Sequence, residues 1–405
     1  VDEALELFGQ GLYVAAPRDF STGIDVGAQG LLLRDGGRHV LVMLDGVILN
    51  SQGTGRVSIN EALGVPLDFI DHIEVMLGPG SVVYGSNAML AVVNVVSKGA
   101  RELSGVFVGA EVGVAAPQDQ DGALLSAGTM ARAGLRYRLS LGGGARFKLG
   151  RYDGEFAAMV DWIQDLSATY GVTPFATGDP YNQSFLPGQT TWGGLTQHEL
   201  RAPSAALTLR LGEFRLLFNA SSYQRGMPLV GTFSDPGARE EQRAVRVDLS
   251  HSRVLFRRFT LDSRLYGGYS SREERSNYGE SFWCLPDQDG CHFSIAARSG
   301  GLGLEQRVSA DWFLDGKLLS MLGYDVRARF FDSDPASYTD LRTDQPSTVV
   351  PIPHASSTTV FGSLFAQQVW HPLRWLSLNV GGVLERLVSV ALWVVAAGQV
   401  LAPTP

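Results

Sequence analysis

Residues 76–98 read MLGPGSVVYGSNAMLAVVNVVSK, and the work of their glycines decides the fold. An apolar run ends at Leu77, glycines follow at Gly78, Gly80 and Gly85, and a second apolar run begins near Leu90. A strand, a glycine-rich turn and a further element is the layout of a phosphate-binding loop. The spacing does not fit one. A dinucleotide fingerprint needs GxGxxG opening a helix, and here the third glycine comes two places late. A Walker loop needs Gly-Lys followed by Ser or Thr, and the nearest lysine, Lys98, lies at the far end of the second run. A soluble enzyme gripping phosphate at 78–85 is therefore the weaker reading.

Upstream, HVLVMLDGVILN (39–50) reads as two strand pieces around an Asp45-Gly46 turn. SINEALGVPLDFI (58–70) reads as a short capped helix, with Ser58 as N-cap and Glu61 three residues on. HIEVML is another strand, and VVNVVSK a fourth, apolar throughout and so expected to be buried on both faces. These elements predict a compact α+β domain of about a hundred residues.

After Gly99 the pattern changes to period two. Phe259, Leu261, Leu265 and Tyr269 share one face, and Thr260, Asp262, Arg264 and Tyr266 the other. Leu304, Val308, Ala310 and Trp312 oppose Glu305, Arg307, Ser309 and Asp311, and Val245, Val247 and Leu249 oppose Arg246, Asp248 and Ser250. A soluble sandwich shows the same alternation. The connections separate the two. Long segments (165–203, 224–242, 271–300, 332–357) alternate with short ones at Gly212-Glu213, Arg253–Arg257, Asp315-Gly316 and His371–Arg374. Outer-membrane barrels have long outer loops, short periplasmic turns and aromatic girdles, and Trp312, Trp370 and Trp375 all sit beside short turns. Roughly eleven strands of about ten residues can be read.

Composition narrows the function. Of 405 residues, 45% are apolar and 18% charged, and the net charge of −8 leaves no basic stripe to neutralise a nucleic acid. The seven histidines form no HExxH or two-histidine-carboxylate cluster, and there is no GxSxG elbow, so no enzyme, cofactor or metal is expected. Cys284 and Cys291 are too far apart for a CxxC site; a disulfide closing a small loop is the expected reading, and free thiols are the alternative. No stretch before residue 386 is apolar enough for a membrane helix.

Three linked motifs carry a family resemblance: VLVMLDGVILN, IDHIEVMLGPGSVVYGSNAM and VVNVVSK, in that order and spacing. Together they resemble the plug domain of TonB-dependent outer-membrane receptors over residues 1–98. A weaker likeness, carried by strand rhythm and SLFAQQVWHPLRWLSLNVGG, extends it over an antiparallel transmembrane β-barrel at 99–385. The resemblance implies that Asp45, Gly46, Glu74, Gly78, Pro79, Gly80, Tyr84 and Gly85 build the plug and do not touch ligand. Gly78 and Gly80 allow a tight turn around Pro79, Tyr84 packs toward the wall, and Glu74 is expected to be buried and paired. His72 stands where the family usually has Arg, and Leu90-Ala91 where it has a Gly pair.

The resemblance also implies function: uptake of a scarce bulky extracellular ligand, such as an iron–siderophore complex or cobalamin, across outer-membrane lipid, driven by TonB with ExbB and ExbD. The segment NSQGTGR matches an apical plug loop, making Asn50, Ser51, Gln52, Thr54 and Arg56 the candidate ligand contacts. Tyr170, Phe175, Tyr181, Phe185 and Trp192 are further candidates in the first long loop. Residue 1 is Val, and no TonB box or signal peptide is seen. The family closes with twenty-two strands, about twice those read here. The atypical tail 386–405 reads as a truncated or frame-shifted end, with an apolar helix or a final strand as alternatives, which leaves a non-transporting fragment as the second reading of the whole.

Overall fold

The computed structural model describes residues 12–15, 25–28, 37–51, 55–56, 63–78, 87–116, 118–119, 133–166, 169–172, 194–197, 199–226, 239–278, 291–313, 316–335, 337–340, 354–373 and 376–390. A short pair, β1 (Leu12–Ala15) with β2 (Asp25–Ala28), precedes a four-stranded sheet. That sheet holds β3 (Val40–Leu44), β4 (Val47–Ile48), β5 (Ile70–Leu77) and β6 (Ala91–Ser97), in the order β4-β3-β6-β5. The two central strands run parallel, from Val40 beside Ala91 to Leu44 beside Val95. Buried residues of both cover both faces, as their continuous apolar runs require. Val40, Val42, Leu44, Val93 and Val95 form one core with Leu63 and Val65; Leu41, Met43 and Val92 form another with Ala88. Each fully buried Val or Leu contributes about 1.5–3 kcal/mol. Of the helix read over 58–70, residues 58–62 lie outside the described residues; the rest is not α-helical, with Leu63 in 3-10 conformation, an irregular stretch through Pro66 and a 3-10 turn at Leu67–Phe69 before β5.

The chain then builds a wall. Its strands are β7 (Gly105–Ala115), β9 (Gly134–Leu149), β10 (Tyr152–Asp165), β13 (Leu200–Leu211), β14 (Phe214–Gly226), β15 (Arg239–Leu255), β16 (Phe259–Tyr278), β17 (Cys291–Asp311), β18 (Leu318–Ser333), β20 (Ala355–Leu373) and β21 (Leu376–Val390). They pair consecutively and antiparallel, with β19 (Ser337–Asp340) added beside β17. Short β8 (Gln118–Asp119), β11 (Thr169–Val172) and β12 (Gly194–Gln197) make a separate small sheet. Wall strands run from 11 to 21 residues, longer than the ten or so expected. About ten suffice to cross lipid; the excess stays hydrogen-bonded to neighbouring strands beyond the apolar band. The last strand continues past Glu385 to Val390, opposite Thr358. Among the described residues β7 pairs only with β9 and β21 only with β20, so the wall does not close.

Exposure settles which way the alternation faces. Val245, Val247, Leu249, Leu265, Leu304 and Val308 are exposed, whereas Asp248, Ser299 and Arg327, on the opposite face of their strands, are buried. Apolar residues point out and charged ones in, the reverse of a soluble sandwich and the pattern of a lipid-facing barrel. Tyr152, Phe214, Phe256, Trp312, Phe313 and Trp370 are all exposed and sit at or beside short connections, where a girdle belongs. Trp312 packs edge-on to Phe259 with ring centroids 6.0 Å apart, and its Nε1 donates to Ser320 Oγ at 2.7 Å; Trp375 lies outside the described residues. Val247→Arg, in the middle of this band, is expected to destabilise the refolded chain in lipid vesicles by about 2–4 kcal/mol. Equilibrium urea unfolding checks it, and a cost below about 0.5 kcal/mol would place Val247 outside the hydrocarbon.

Candidate functional site: the plug seat and the outer loop

The first four-stranded sheet sits against the inner face of the wall, and its Asp45-Gly46 tip marks the contact. Both residues have positive φ, 49° and 83°, the type I′ turn that joins β3 to β4. Asp45 then works in three directions. Its carboxylate accepts from Ser97 N at 2.9 Å and from Ser97 Oγ at 2.5 Å, and it meets Arg215 Nη2 at 3.0 Å. Gly46 N donates to Asn94 Oδ1, while Gly46 O accepts from Arg264 Nη2 at 2.8 Å. Arg215 follows the short Gly212-Glu213 turn directly, so the tip lies at the short-turn end of the wall.

Three more contacts hold the sheet. Arg138, side chain 9% exposed, donates through Nε to Asp161 at 2.9 Å, through Nη1 to Glu111 at 3.1 Å and through Nη2 to Asp68 at 2.8 Å. Asp161 belongs to the wall and Asp68 to the 3-10 turn before β5, so one guanidinium ties both. Arg246 donates to Asn219 Oδ1 and to Leu49 O at 3.0 Å. Asn219, fully buried, passes its Nδ2 to Gly64 O at 2.8 Å. Gly64 has φ +70°, and a Cβ there would lie 2.2 Å from the Ser221 side chain, so the chain approaches the wall closer than any side chain permits. Apolar contact is confined to patches: Leu217 joins the core of the first sheet, and Phe69 packs with Leu103, Ala157, Met159 and Ala206. The remaining hold is largely guanidinium to carbonyl or carboxylate, directional bonds that can be exchanged for water one at a time.

The predicted ligand loop starts at the other end of this sheet, beside the first residue of β3. Asn50 is buried, and its amide is fully committed: Oδ1 accepts from Val42 N at 2.8 Å, and Nδ2 donates to Val40 O and Gly55 O at 3.0 Å each. This corrects its reading as a ligand donor, because both Nδ2 hydrogens are already used to hold the loop's base. Ser51 N donates to Arg56 O and Gly55 N to Ser51 O, closing the loop tightly. Ser51 and Arg56 are half-buried; Gln52 and Thr54 lie outside the described residues, as do Pro79, Gly80, Tyr84, Gly85, Cys284, Phe175, Tyr181, Phe185 and Trp192. Gly78 has φ +117° and donates to Leu90 O. Cys291 opens β17, and Tyr170 pairs with Thr196 in β11.

Glu74 requires a second correction. It does find a partner, accepting from Asn94 Nδ2 at 2.8 Å, but its side chain is 59% exposed rather than buried. The reason is topological: β5 is the edge strand of its sheet, with no strand beyond it among the described residues. Next to it His72 Nδ1 lies 2.7 Å from Asp71 Oδ2, and Nε2 3.6 Å from Glu74 Oε1. The Asp71 hydrogen bond, helped by Glu74, raises the imidazole above its ordinary 6.5. The pairing is therefore fully present below pH 6.5 and is lost as pH rises through the higher folded value. Titration of the His72 ring followed by NMR should give a midpoint above 6.5 that Asp71→Asn lowers; an unchanged midpoint in that variant would remove Asp71 as the cause.

The sequence singled out none of Arg138, Arg215, Arg246 or Arg264 as a contact. Its only signal was that Arg246 and Arg264 stand on the charged, inward face of their strands.

A small mixed sheet packed against the charged inner face of an inside-out strand wall is the arrangement of a plug seated on part of a β-barrel. Residues 1–92 match the family described as TonB-dependent Receptor Plug Domain. The vitamin B12 transporter BtuB of Vibrio vulnificus (strain CMCP6) is 37% identical over 70 residues, 17% of this chain and 11% of that protein. The ferric citrate transporter FecA superposes with a TM-score of 0.62 at 15% identity, over 94% of this chain and 52% of FecA. The ferric yersiniabactin uptake receptor FyuA from Yersinia pestis gives 0.59 at 13% identity, over 96% and 59%. The chain thus spans about half the length of the solved receptors it resembles, and these likenesses establish its fold.

Proposed function

We propose that this chain acts in the outer membrane of a Gram-negative bacterium, as the plug (residues 1–98) and part of the barrel (99–385) of a receptor for TonB-dependent uptake of a scarce, bulky ligand. Residues 386–390 extend the last wall strand, so of the tail only 391–405 are left unassigned. One observation carries the reading: a plug held to an inside-out wall by exchangeable polar bonds, a barrier that can be remodelled without unfolding the wall. The relatives' names point to cobalamin or an iron chelate as cargo. No ATP is available at the outer membrane, so remodelling draws on TonB with ExbB and ExbD. The reading involves no catalysis and no cofactor.

Ligand would bind outside, at the loop 50–56 and the long connections, with Ser51, Gln52, Thr54 and Arg56 as plug contacts and Asn50 as the support beneath them. Gln52→Ala with Arg56→Ala is expected to weaken ligand binding at the cell surface roughly tenfold or more while folding is retained, since a surface loop carries little stability. Binding of labelled cyanocobalamin and ferric citrate to cells measures this, and unchanged affinity for a transported ligand would leave only the barrel loops. Recovery of the gene product in a soluble fraction, rather than in outer membranes, would end the receptor reading. The unpaired outer edges of β7 and β21 among the described residues favour one second reading, a non-transporting fragment. Heat-modifiable gel mobility of the chain would count against it.

A further inference from the structure

The short connection between β15 and β16 breaks a rule that the other short connections keep. Leu255 pairs with Phe259, so Phe256, Arg257 and Arg258 form the turn. Phe256 and Arg257 have φ of 50° and 62°, in the left-handed region. The turns after β9, β13 and β17 place a glycine there instead, at Gly150, Gly212 and Gly316. The other non-glycine residue with positive φ among the described residues is Asp45, whose short polar side chain tolerates that backbone. A phenylalanine and an arginine do not, and holding each left-handed weakens folding roughly tenfold. Such strain persists where another need keeps the residues in place. Phe256 is 89% exposed, more than any other large apolar side chain among the described residues. Arg253, Arg257 and Arg258 are exposed around it. Glu213 lies 3.8 Å from Arg253, an exposed contact of little strength, and among the described residues neither Arg257 nor Arg258 pairs with a carboxylate.

We propose that the 253–258 turn anchors the wall in the periplasmic leaflet, with Phe256 inserted at headgroup depth and the three arginines on the phosphates of anionic phospholipids. The inference rests on the membrane reading above. Two features select a lipid surface as the occupant. The first is continuity with the lipid-facing band. Val245, Val247 and Leu249 lead to His251, whose ring lies 4.6 Å from that of Phe214, and on the next strand Phe259 packs against Trp312. Phe256 stands one residue, about 3.3 Å, beyond the Leu255–Phe259 pair, inside a headgroup layer about 5–8 Å deep. Aliphatic residues, then rings, then guanidiniums follow the polarity gradient of a bilayer interface. The second feature is charge. Three guanidiniums against one carboxylate complement an anionic surface, where each cation strengthens attachment about fivefold. A glycine pair would form the turn without strain but would present neither ring nor charge.

Equilibrium urea unfolding of the refolded chain tests this in vesicles of phosphatidylcholine alone and of an equal mixture with phosphatidylglycerol. The mixture should raise the wild-type folding constant about twenty-five-fold more than that of Arg257→Gly with Arg258→Gln, fivefold for each arginine removed, and high salt should erase the difference. Gains equal within about threefold would overturn the anchor. In phosphatidylcholine alone the same variant should be the more stable protein, since the strain at Arg257 is gone; if wild type is the more stable there too, the turn bears no strain and the proposal falls. Soluble polyglutamate added to phosphatidylcholine vesicles is the control for a protein partner. A gain from it equal to that from phosphatidylglycerol would assign the patch to an acidic polypeptide and overturn the lipid. A bimane on Phe256→Cys, with Cys284→Ser and Cys291→Ser as background, should be quenched by lipid brominated high on its acyl chains and hardly by aqueous iodide. The reverse would overturn insertion. A chain that enters neither vesicle sinks the membrane reading and the anchor together, whereas one that enters both with equal gains sinks the anchor alone.

Discussion

Arg138→Ala is expected to lower the unfolding free energy of the refolded chain by about 3–5 kcal/mol, the usual cost of removing one partner from a buried ion pair. The magnitude follows from what remains behind. Asp161, 2% exposed, keeps one hydrogen bond, from Ser140 Oγ at 2.7 Å. Asp68 loses its bond to the wall, so the plug loosens as well. Arg138→Lys should recover only part of the loss, because one ammonium cannot reach Asp161, Asp68 and Glu111 as a planar fork does. Urea unfolding in lipid vesicles, followed by tryptophan fluorescence, measures both. A loss below about 1 kcal/mol in the alanine variant would show that the pair adds nothing beyond an exposed one.

Asp45→Ala should act on the plug and spare the wall. Asp45 is 7% exposed and Arg215 26%, so removing the carboxylate strands a largely buried guanidinium and two Ser97 donors, at a cost of about 2–4 kcal/mol. Alanine also tolerates the +49° φ poorly, which adds about 1 kcal/mol. Asp45→Asn separates the two effects, since asparagine suits a type I′ turn and keeps a hydrogen-bonding oxygen while the charge is gone. Amide hydrogen exchange across β6 reads plug docking locally. Protection there should fall most in the alanine variant and less in asparagine, with β16 and β17 unchanged. Equal losses in the two variants would assign the whole effect to the charge, and loss across the entire wall would mean that plug and barrel unfold as one unit.

The elements of the plug were legible because each rests on a local requirement. An Asp-Gly pair between two apolar runs demands positive φ at both places, and Asp45 and Gly46 have it. VVNVVSK is apolar at successive positions, so it has no face to offer water, and β6 lies in the middle of its sheet. The wall was legible as a period of two with alternating connection lengths. The direction of its faces was carried by those connections and the girdle, because alternation by itself is the same for a sandwich and a barrel. Its strand lengths were not legible, since pairing beyond the lipid leaves no compositional mark.

The seat of the plug was decided only in three dimensions. Arg138 and Asp161 are 23 residues apart, Arg246 and Leu49 are 197 apart, and no local pattern links them. Asn50 shows the same limit at short range. Its type suits a ligand donor as well as a loop brace, and only the placement of Val40, Val42 and Gly55 around its amide chose the brace. Glu74 was misjudged because its burial depends on what lies beyond the edge of β5. Sequence by itself determined the backbone devices and the alternation, which are set by φ, by side-chain period and by the partition of apolar groups. Tertiary structure decided which charges meet, because an ion pair is fixed by the distance between groups that folding brings together.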